Sequence, residues 1–227
     1  PSRKAQPRMR PVRAIIFDMD GLMLDTESVS TSAWRMAGAE LGLDIPDVMI
    51  HRMTGRTLRD IRRIAPEYLP PHADFQSLWN RADHHYNRIL HDEPIAIKHG
   101  LFPLLDELER RGIPKGVATS SRIEQATHKL TKTGLIARFA HITTGDEVAH
   151  GKPAPDVFLK AAAKFPADPA DCVVLEDSIP GITGARAAGM QVVWVPEHPV
   201  TEEGRVHAHL IANDLLHALD WLRPLLS

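Results

Sequence analysis

Short, continuous runs of apolar and β-branched residues alternate with helix-patterned stretches along most of this chain, and that alternation limits the possible folds more than any other feature. The runs are Val12–Phe17, Pro114–Thr119, Phe139–Thr143, Cys172–Leu175 and Gln191–Val195. A strand with one wet face alternates apolar and polar residues, whereas an unbroken apolar run suits a parallel strand covered on both faces. Between the runs, Leu101, Leu104, Leu105 and Leu108 share one helical face ahead of Gly112. Further helices are expected over residues 122–133, 154–164 and 179–188. The pattern predicts an α/β fold built on a doubly wound parallel sheet.

One stretch breaks this rhythm. From about Ser28 to about Ile95 no run reads as a strand; helical patterns over 30–41, 56–65 and 75–91 are separated by Gly42, Pro46, Pro66 and Pro70-Pro71. The stretch is expected to be an inserted all-helical lid with Trp34 and Trp79 in its interior, lying over the sheet's C-terminal edge, where ligands of such sheets bind. The division is then a core of residues 11–26 and 97–227, a helical cap of residues 27–96, and a disordered tail of residues 1–10. The 227 residues, 43% of them hydrophobic, suffice for one core with a smaller inserted module.

Composition excludes several classes of partner. The formal net charge of −2 gives no global field for nucleic acid or an anionic membrane. No apolar run approaches the ~20 residues of a membrane span. The basic, polar N-terminus lacks the apolar centre of a signal peptide. The single cysteine, Cys172, stands beside Val173 and Val174 and is expected to be buried; a chain of this kind suits a reducing, cytoplasmic setting. Nothing in the sequence demands more than a monomer.

The strand ends carry the chemistry. The first run ends in Asp18-Met-Asp20-Gly21, the second in Thr119-Ser120-Ser121 and the fourth in Glu176-Asp177-Ser178, while Lys152 follows the third. A doubly wound sheet gathers these points at one edge. Carboxylates crowded there repel unless a cation joins them, and an all-oxygen donor set suits Mg²⁺. Asp18 and Asp177 are the expected direct ligands, with Asp20 lending its backbone carbonyl and Glu176 a metal-bound water. Asp18 can attack phosphorus, and Asp20 can protonate the leaving oxygen and later deprotonate water. Thr119 and Ser120 can donate to phosphoryl oxygens, and Lys152 can neutralise their charge. The expected partner is a small phosphate ester.

Other residues have plainer duties available. Asp25 is expected to order its loop, Thr26 or Glu27 to cap the first cap helix, and Ser178 to cap the helix after the fourth strand. Ser121 and Arg122 stand evenly between phosphate contact and helix capping. Arg56, in the turn Met53–Thr57, can hold the distal polar part of a substrate. His84, His85 and His91 lack a metal-ligand pattern and are expected on a wet helical face.

Taken together, Asp18-Met-Asp-Gly-Leu-Met-Leu-Asp-Thr-Glu27, Ala118-Thr-Ser-Ser121, Gly151-Lys-Pro-Ala-Pro-Asp156, and Leu175-Glu-Asp-Ser178 with Gly181 and Ala187-Ala-Gly-Met190 resemble the four motifs of haloacid dehalogenase superfamily phosphotransferases. They occur in family order and cover roughly residues 11–222. The insert resembles the small helical cap of the subfamily that contains β-phosphoglucomutase and small phosphosugar phosphatases. The resemblance implies a Rossmann-like core, Asp18 as nucleophile, Asp20 as acid and base, Lys152 as charge neutraliser, and Mg²⁺ near Asp18, Asp20, Glu176 and Asp177. Met19, Thr119, Ser120, Ser121 and Arg56 form the expected phosphate- and substrate-binding set. Two departures favour a phosphatase over a mutase: Ser30 stands where the mutase pattern has a His, and Asn80-Arg-Ala-Asp-His-His-Tyr86 lacks its Lys. A phosphomutase, a non-catalytic binding domain and a dehalogenase are the alternatives, in that order.

Overall fold

The structure, a computed structural model, describes residues 10–53, 58–197 and 199–226. Strands β1 (Ala14–Phe17), β2 (Lys115–Ala118), β3 (His141–Thr143), β4 (Cys172–Glu176), β5 (Gln191–Trp194) and β6 (Leu210–Ile211) form one sheet in the order β3-β2-β1-β4-β5-β6. Every pairing is parallel. Every residue of β1, β2, β4 and β5 is buried, as the unbroken apolar runs require.

Helices α1 (Glu27–Leu41), α2 (Asp47–Met53), α3 (Leu58–Ile64) and α4 (Phe75–Asp92) lie between β1 and the rest of the sheet in sequence. Helices α5 (Leu101–Arg110), α6 (Ile123–Lys132), α7 (Asp156–Ala162), α8 (Ile179–Ala187), α9 (Glu202–Arg205) and α10 (Leu215–Leu222) follow. Successive strand residues face opposite sides of a sheet. Ile15 and Phe17 accordingly enter an apolar layer with Leu104 and Leu108 of α5 and Leu219 of α10. Ala14 and Ile16 enter the opposite layer, with Phe158 of α7 and Ile182 of α8. The result is the three-layer, Rossmann-like arrangement that the strand–helix alternation predicts.

The inserted helices bury a third apolar cluster of their own, built around Trp34, Ala37, Met49, Leu78 and Ala82. Trp34 meets Trp79 edge to face at 5.8 Å. Helix α1 ends at Gly42 in the left-handed conformation, and Asp74 caps α4 by accepting from the Gln76 amide. The chain enters and leaves this insert through adjacent segments. Asp25 N donates to Ala96 O and Lys98 N to Met23 O, each at 2.9 Å, and Leu24 bridges Ile97 antiparallel.

Several details depart from the sequence expectations. Helix α1 starts at Glu27 with Thr26 at its N-cap position, but the Thr26 side chain does not cap the helix; its hydroxyl donates to Asp20 instead. His85 is buried, its Nε2 2.8 Å from Glu40 Oε1, so only His84 and His91 occupy a wet face. Arg10 is anchored rather than part of a loose tail: its amide donates to Gln191 Oε1 and its guanidinium pairs with Asp171, both at 3.1 Å. Residues 1–9, and Arg56 with the rest of its turn from Thr54 to Thr57, lie outside the described residues. Elements α2, α9, α10 and β6 were not anticipated. Cys172 is fully buried, as expected. Among the described residues no helix is long and apolar enough to cross a membrane.

Candidate active site

Because β1, β2 and β4 run parallel, their C-terminal ends open on one edge, and the chain there delivers Asp18, Thr119 and Glu176. Two glycines let the backbone close around these groups. Gly21 has φ +88°, and a Cβ there would fall 2.3 Å from Asp177 Oδ2. At Gly181, in the first turn of α8, a Cβ would fall 1.7 Å from Glu176 Oε1.

Asp18, Lys152, Glu176 and Asp177 form a buried group, none more than 8% exposed. The Lys152 ammonium donates to Asp18 Oδ1, to Glu176 Oε1 (2.6 Å) and to the Ala118 carbonyl (3.3 Å). Glu176 Oε2 accepts from the Ser178 amide (2.7 Å) and hydroxyl (3.0 Å). Ser178 Oγ in turn accepts from Gly181 N, which bears out its capping role. Burial opposes the charge on Lys152, but Asp18 and Glu176 more than offset this and raise its pKa. Burial pushes the Asp18 carboxyl up, Lys152 pulls it down, and Glu176 adds to the rise. Asp177 stands well above the usual carboxylate range because of burial, Glu176 and Asp18.

Three buried carboxylates therefore share one ammonium, and the group is short of positive charge. One carboxylate oxygen from each of Asp18, Glu176 and Asp177 lies within 4.8 Å of the others. This all-oxygen set fits a hard divalent cation. The Asp20 carboxylate is not part of it.

Asp20 has its own cradle. Its Oδ1 accepts from Thr26 Oγ1 (2.8 Å) and Lys129 Nζ (2.6 Å); its Oδ2 accepts from Ser121 Oγ (2.7 Å), with Thr119 Oγ1 at 3.5 Å. Burial works against the Asp20 charge, but Lys129 and the Ser121 and Thr26 hydroxyls outweigh it and hold the carboxyl below its ordinary pKa. Ser121 thus neither caps α6 nor stands free. Lys129 and Thr26 are site residues that sequence reasoning missed. The signal for Lys129 was its place one turn after Ala126 and beside Leu130, on the buried face of α6.

A cavity of about 670 Å³ joins the two groups to the cap. Asp18, Asp20, Lys152, Asp177, Thr119 and Ser121 line its floor; Ser30, Trp34, Ile50, Trp79, Asp83 and Tyr86 contribute to the opposite wall. Ser120 also lines it, and its buried hydroxyl has no hydrogen-bond partner among the described residues. Met19, of the same expected set, has its side chain fully buried in the apolar layer with Ile15 and Phe17, which leaves its backbone for a ligand.

Comparison with known proteins agrees with this architecture. A family model described as haloacid dehalogenase-like hydrolase matches residues 15–195. A probable pseudouridine-5'-phosphatase of Drosophila melanogaster is 35% identical over 215 residues, covering 91% of each chain. A β-phosphoglucomutase of Bacillus subtilis is 32% identical over 190 residues, covering 81% of this chain and 83% of its own. Among solved structures, a hydrolase from Pseudomonas syringae superposes with a TM-score of 0.80 at 28% identity, covering 94% of this chain and 99% of that one.

Proposed function

The chain belongs to the haloacid dehalogenase-like hydrolases, and on that premise we propose that it is a Mg²⁺-dependent phosphatase of a small phosphorylated metabolite, a sugar phosphate in the first instance. The observation that carries this is the pairing of two aspartates with opposite surroundings. Asp18 lies with Lys152 in a group short of positive charge, and Asp20, two residues on, is fully supplied with donors.

Each has a task that its surroundings suit. A carboxylate oxygen of Asp18 attacks phosphorus, the ester P–O bond breaks, and the departing oxygen takes a proton from Asp20. Water then gives a proton back to Asp20 and its oxygen attacks the phosphoryl-aspartate, restoring Asp18 and releasing inorganic phosphate. The cradle favours Asp20 as a carboxylate, the form that accepts the proton from water; the proton it passes to the leaving oxygen in the first step is brought in by the phosphate ester, bound as its monoanion. Lys152 and the unused Ser120 hydroxyl face the transferring phosphoryl group as charge and hydrogen-bond donors. Asp18 and Asp177, with Glu176 close by and the Asp20 carbonyl, would hold Mg²⁺. When bound, the ion neutralises charge on the phosphoryl oxygens.

We assign residues 27–96 to a cap whose closure excludes bulk water, and residues 11–26 and 97–227 to the catalytic core. Hydrolysis is preferred to mutase chemistry because Ser30 lines the cavity in place of a histidine. The test is phosphate release from hexose, pentose and nucleoside phosphates with Mg²⁺, each active ester followed by ³¹P NMR. Free phosphate growing linearly from one class of ester is the expected outcome. Conversion of β-glucose 1-phosphate to the 6-phosphate with little free phosphate would replace the proposal by a mutase.

A further inference from the structure

Lys129 lies on α6, away from the three-carboxylate group, and the chemistry above has no task for it. It is only 1% exposed, and lysine is almost never fully buried unless paired. Its ammonium meets side chains from three separate parts of the chain. It donates to Asp20 Oδ1 in the loop after β1 (2.6 Å) and to Ser121 Oγ in the loop after β2 (3.1 Å), and it stands 5.4 Å from the centre of the Tyr86 ring on cap helix α4.

A purely structural duty would not call for this arrangement. Buried ion pairs are a weak source of stability, and an apolar residue would suit a helix face that also buries Ala126 and Leu130. The pair is also asymmetric. The Asp20 side chain keeps 28% of its surface and lines the cavity, whereas the Lys129 side chain keeps 1% and backs it from the protein side. With Thr26 and Lys129 on one oxygen and Ser121 on the other, the carboxylate is held in one orientation. Burial opposes the Lys129 charge, yet the Asp20 carboxylate more than offsets it, so the ammonium persists.

We propose that Lys129 is a positioning residue for Asp20: it fixes the orientation from which that carboxylate exchanges protons with the leaving oxygen and with water, and Tyr86 makes the orientation depend on the placement of α4. This rests on the assignment of Asp20 as acid and base.

The experiment compares kcat/KM of the Mg²⁺-loaded enzyme on phenyl phosphate and p-nitrophenyl phosphate. These esters are close in shape but differ in how much the leaving oxygen needs a proton. Asp20→Asn is expected to lose about 100-fold on phenyl phosphate and much less on p-nitrophenyl phosphate. Lys129→Met is expected to show the same bias with a loss of about tenfold, and to cost less than about twofold once Asp20 is already Asn. Tyr86→Leu should show the bias in weaker form; equal losses on both esters would remove Tyr86 from the proposal. Equal losses for Lys129→Met on both esters, or full additivity with Asp20→Asn, would make Lys129 a structural residue and overturn the proposal. An Asp20→Asn variant without the bias would overturn the Asp20 assignment itself, a result distinct from failure at Lys129 alone. Should Lys129→Met not fold, the double variant, which leaves no unpaired charge, is compared with Asp20→Asn and decides by the same criterion.

Discussion

The sheet edge and the cap face each other across one cavity, yet they hold their charges in opposite ways. At the sheet edge Asp18, Lys152 and Glu176 are buried and tied to one another. In the cap, the pairs Arg35–Asp47, Arg52–Glu67 and Arg81–Glu40 are all at least 41% exposed at the side chain, and Trp34, Ile50 and Trp79 are among the groups it turns toward the cavity. Removing one member of a buried pair costs about 3–5 kcal/mol, whereas an exposed pair contributes about 0–1 kcal/mol. The edge to which we assign the chemistry is therefore fixed by interactions that tolerate little change, and the wall to which we assign the rest of the substrate is free to vary.

The sharpest way to break this contrast is at Asp18. Asp18→Asn should drop phosphate release by more than about 10⁴-fold while leaving the fold intact, since Lys152 keeps Glu176 as a partner; retained turnover with the same substrate would remove Asp18 as nucleophile. Lys152→Met comes next. It leaves buried carboxylates without their ammonium and should lower stability by about 3–5 kcal/mol in urea titrations, with part of the loss recovered by added Mg²⁺. An unchanged midpoint would mean that the edge is less tightly determined than its geometry indicates. Asp177→Asn should raise the Mg²⁺ concentration needed for half-maximal activity about tenfold or more, and EDTA should silence the wild-type enzyme.

On the other side of the cavity, Trp79→Leu should change the ranking of substrates by about tenfold in kcat/KM while p-nitrophenyl phosphate turnover moves little. Equal loss on every ester would erase the distinction between the two walls. The smallest effect lies outside the cavity, at a half-buried histidine. His209 Nδ1 accepts from Val192 N at 2.9 Å, and burial, aided by Arg186, pushes the imidazole down from 6.5 to about 4. Its contribution to stability is present in full above pH 6.5 and is lost as pH falls to about 4. His209→Gln should flatten that part of the acid limb in thermal melts, and an identical limb would show that the histidine is protonated in the folded protein.

The parallel sheet was legible because its strands are buried on both faces and so carry no polar interruptions: Ile15, Val117, Val173 and Val192 announce themselves. Strand β6 was not, because two half-buried residues leave no periodicity to detect. Helix α10 had a usable signal in Asp214 followed by Leu215, Ala218, Leu219 and Leu222, the spacing of a capped amphipathic helix. At the candidate site, residues at strand ends could be placed from topology alone. Thr26 could not, and Lys129 only as a lysine on the apolar side of its helix, since each reaches Asp20 from an element whose orientation depends on tertiary packing. A threonine ahead of a helix reads as a cap and a lysine within one reads as solvent-facing; in both cases the carboxylate at position 20 competed successfully for the side chain.

The paired segments at the cap's root, Leu24–Asp25 against Ala96–Ile97, have a further consequence. They act as a clasp that closes the inserted stretch into a loop. The entropy of closing a flexible loop grows only with the logarithm of its length, about 0.6 kcal/mol for each doubling. A longer or shorter stretch between the same two segments would therefore burden the sheet very little, and the size of the cavity roof becomes a quantity that insertions and deletions can change almost independently of the machinery beneath it.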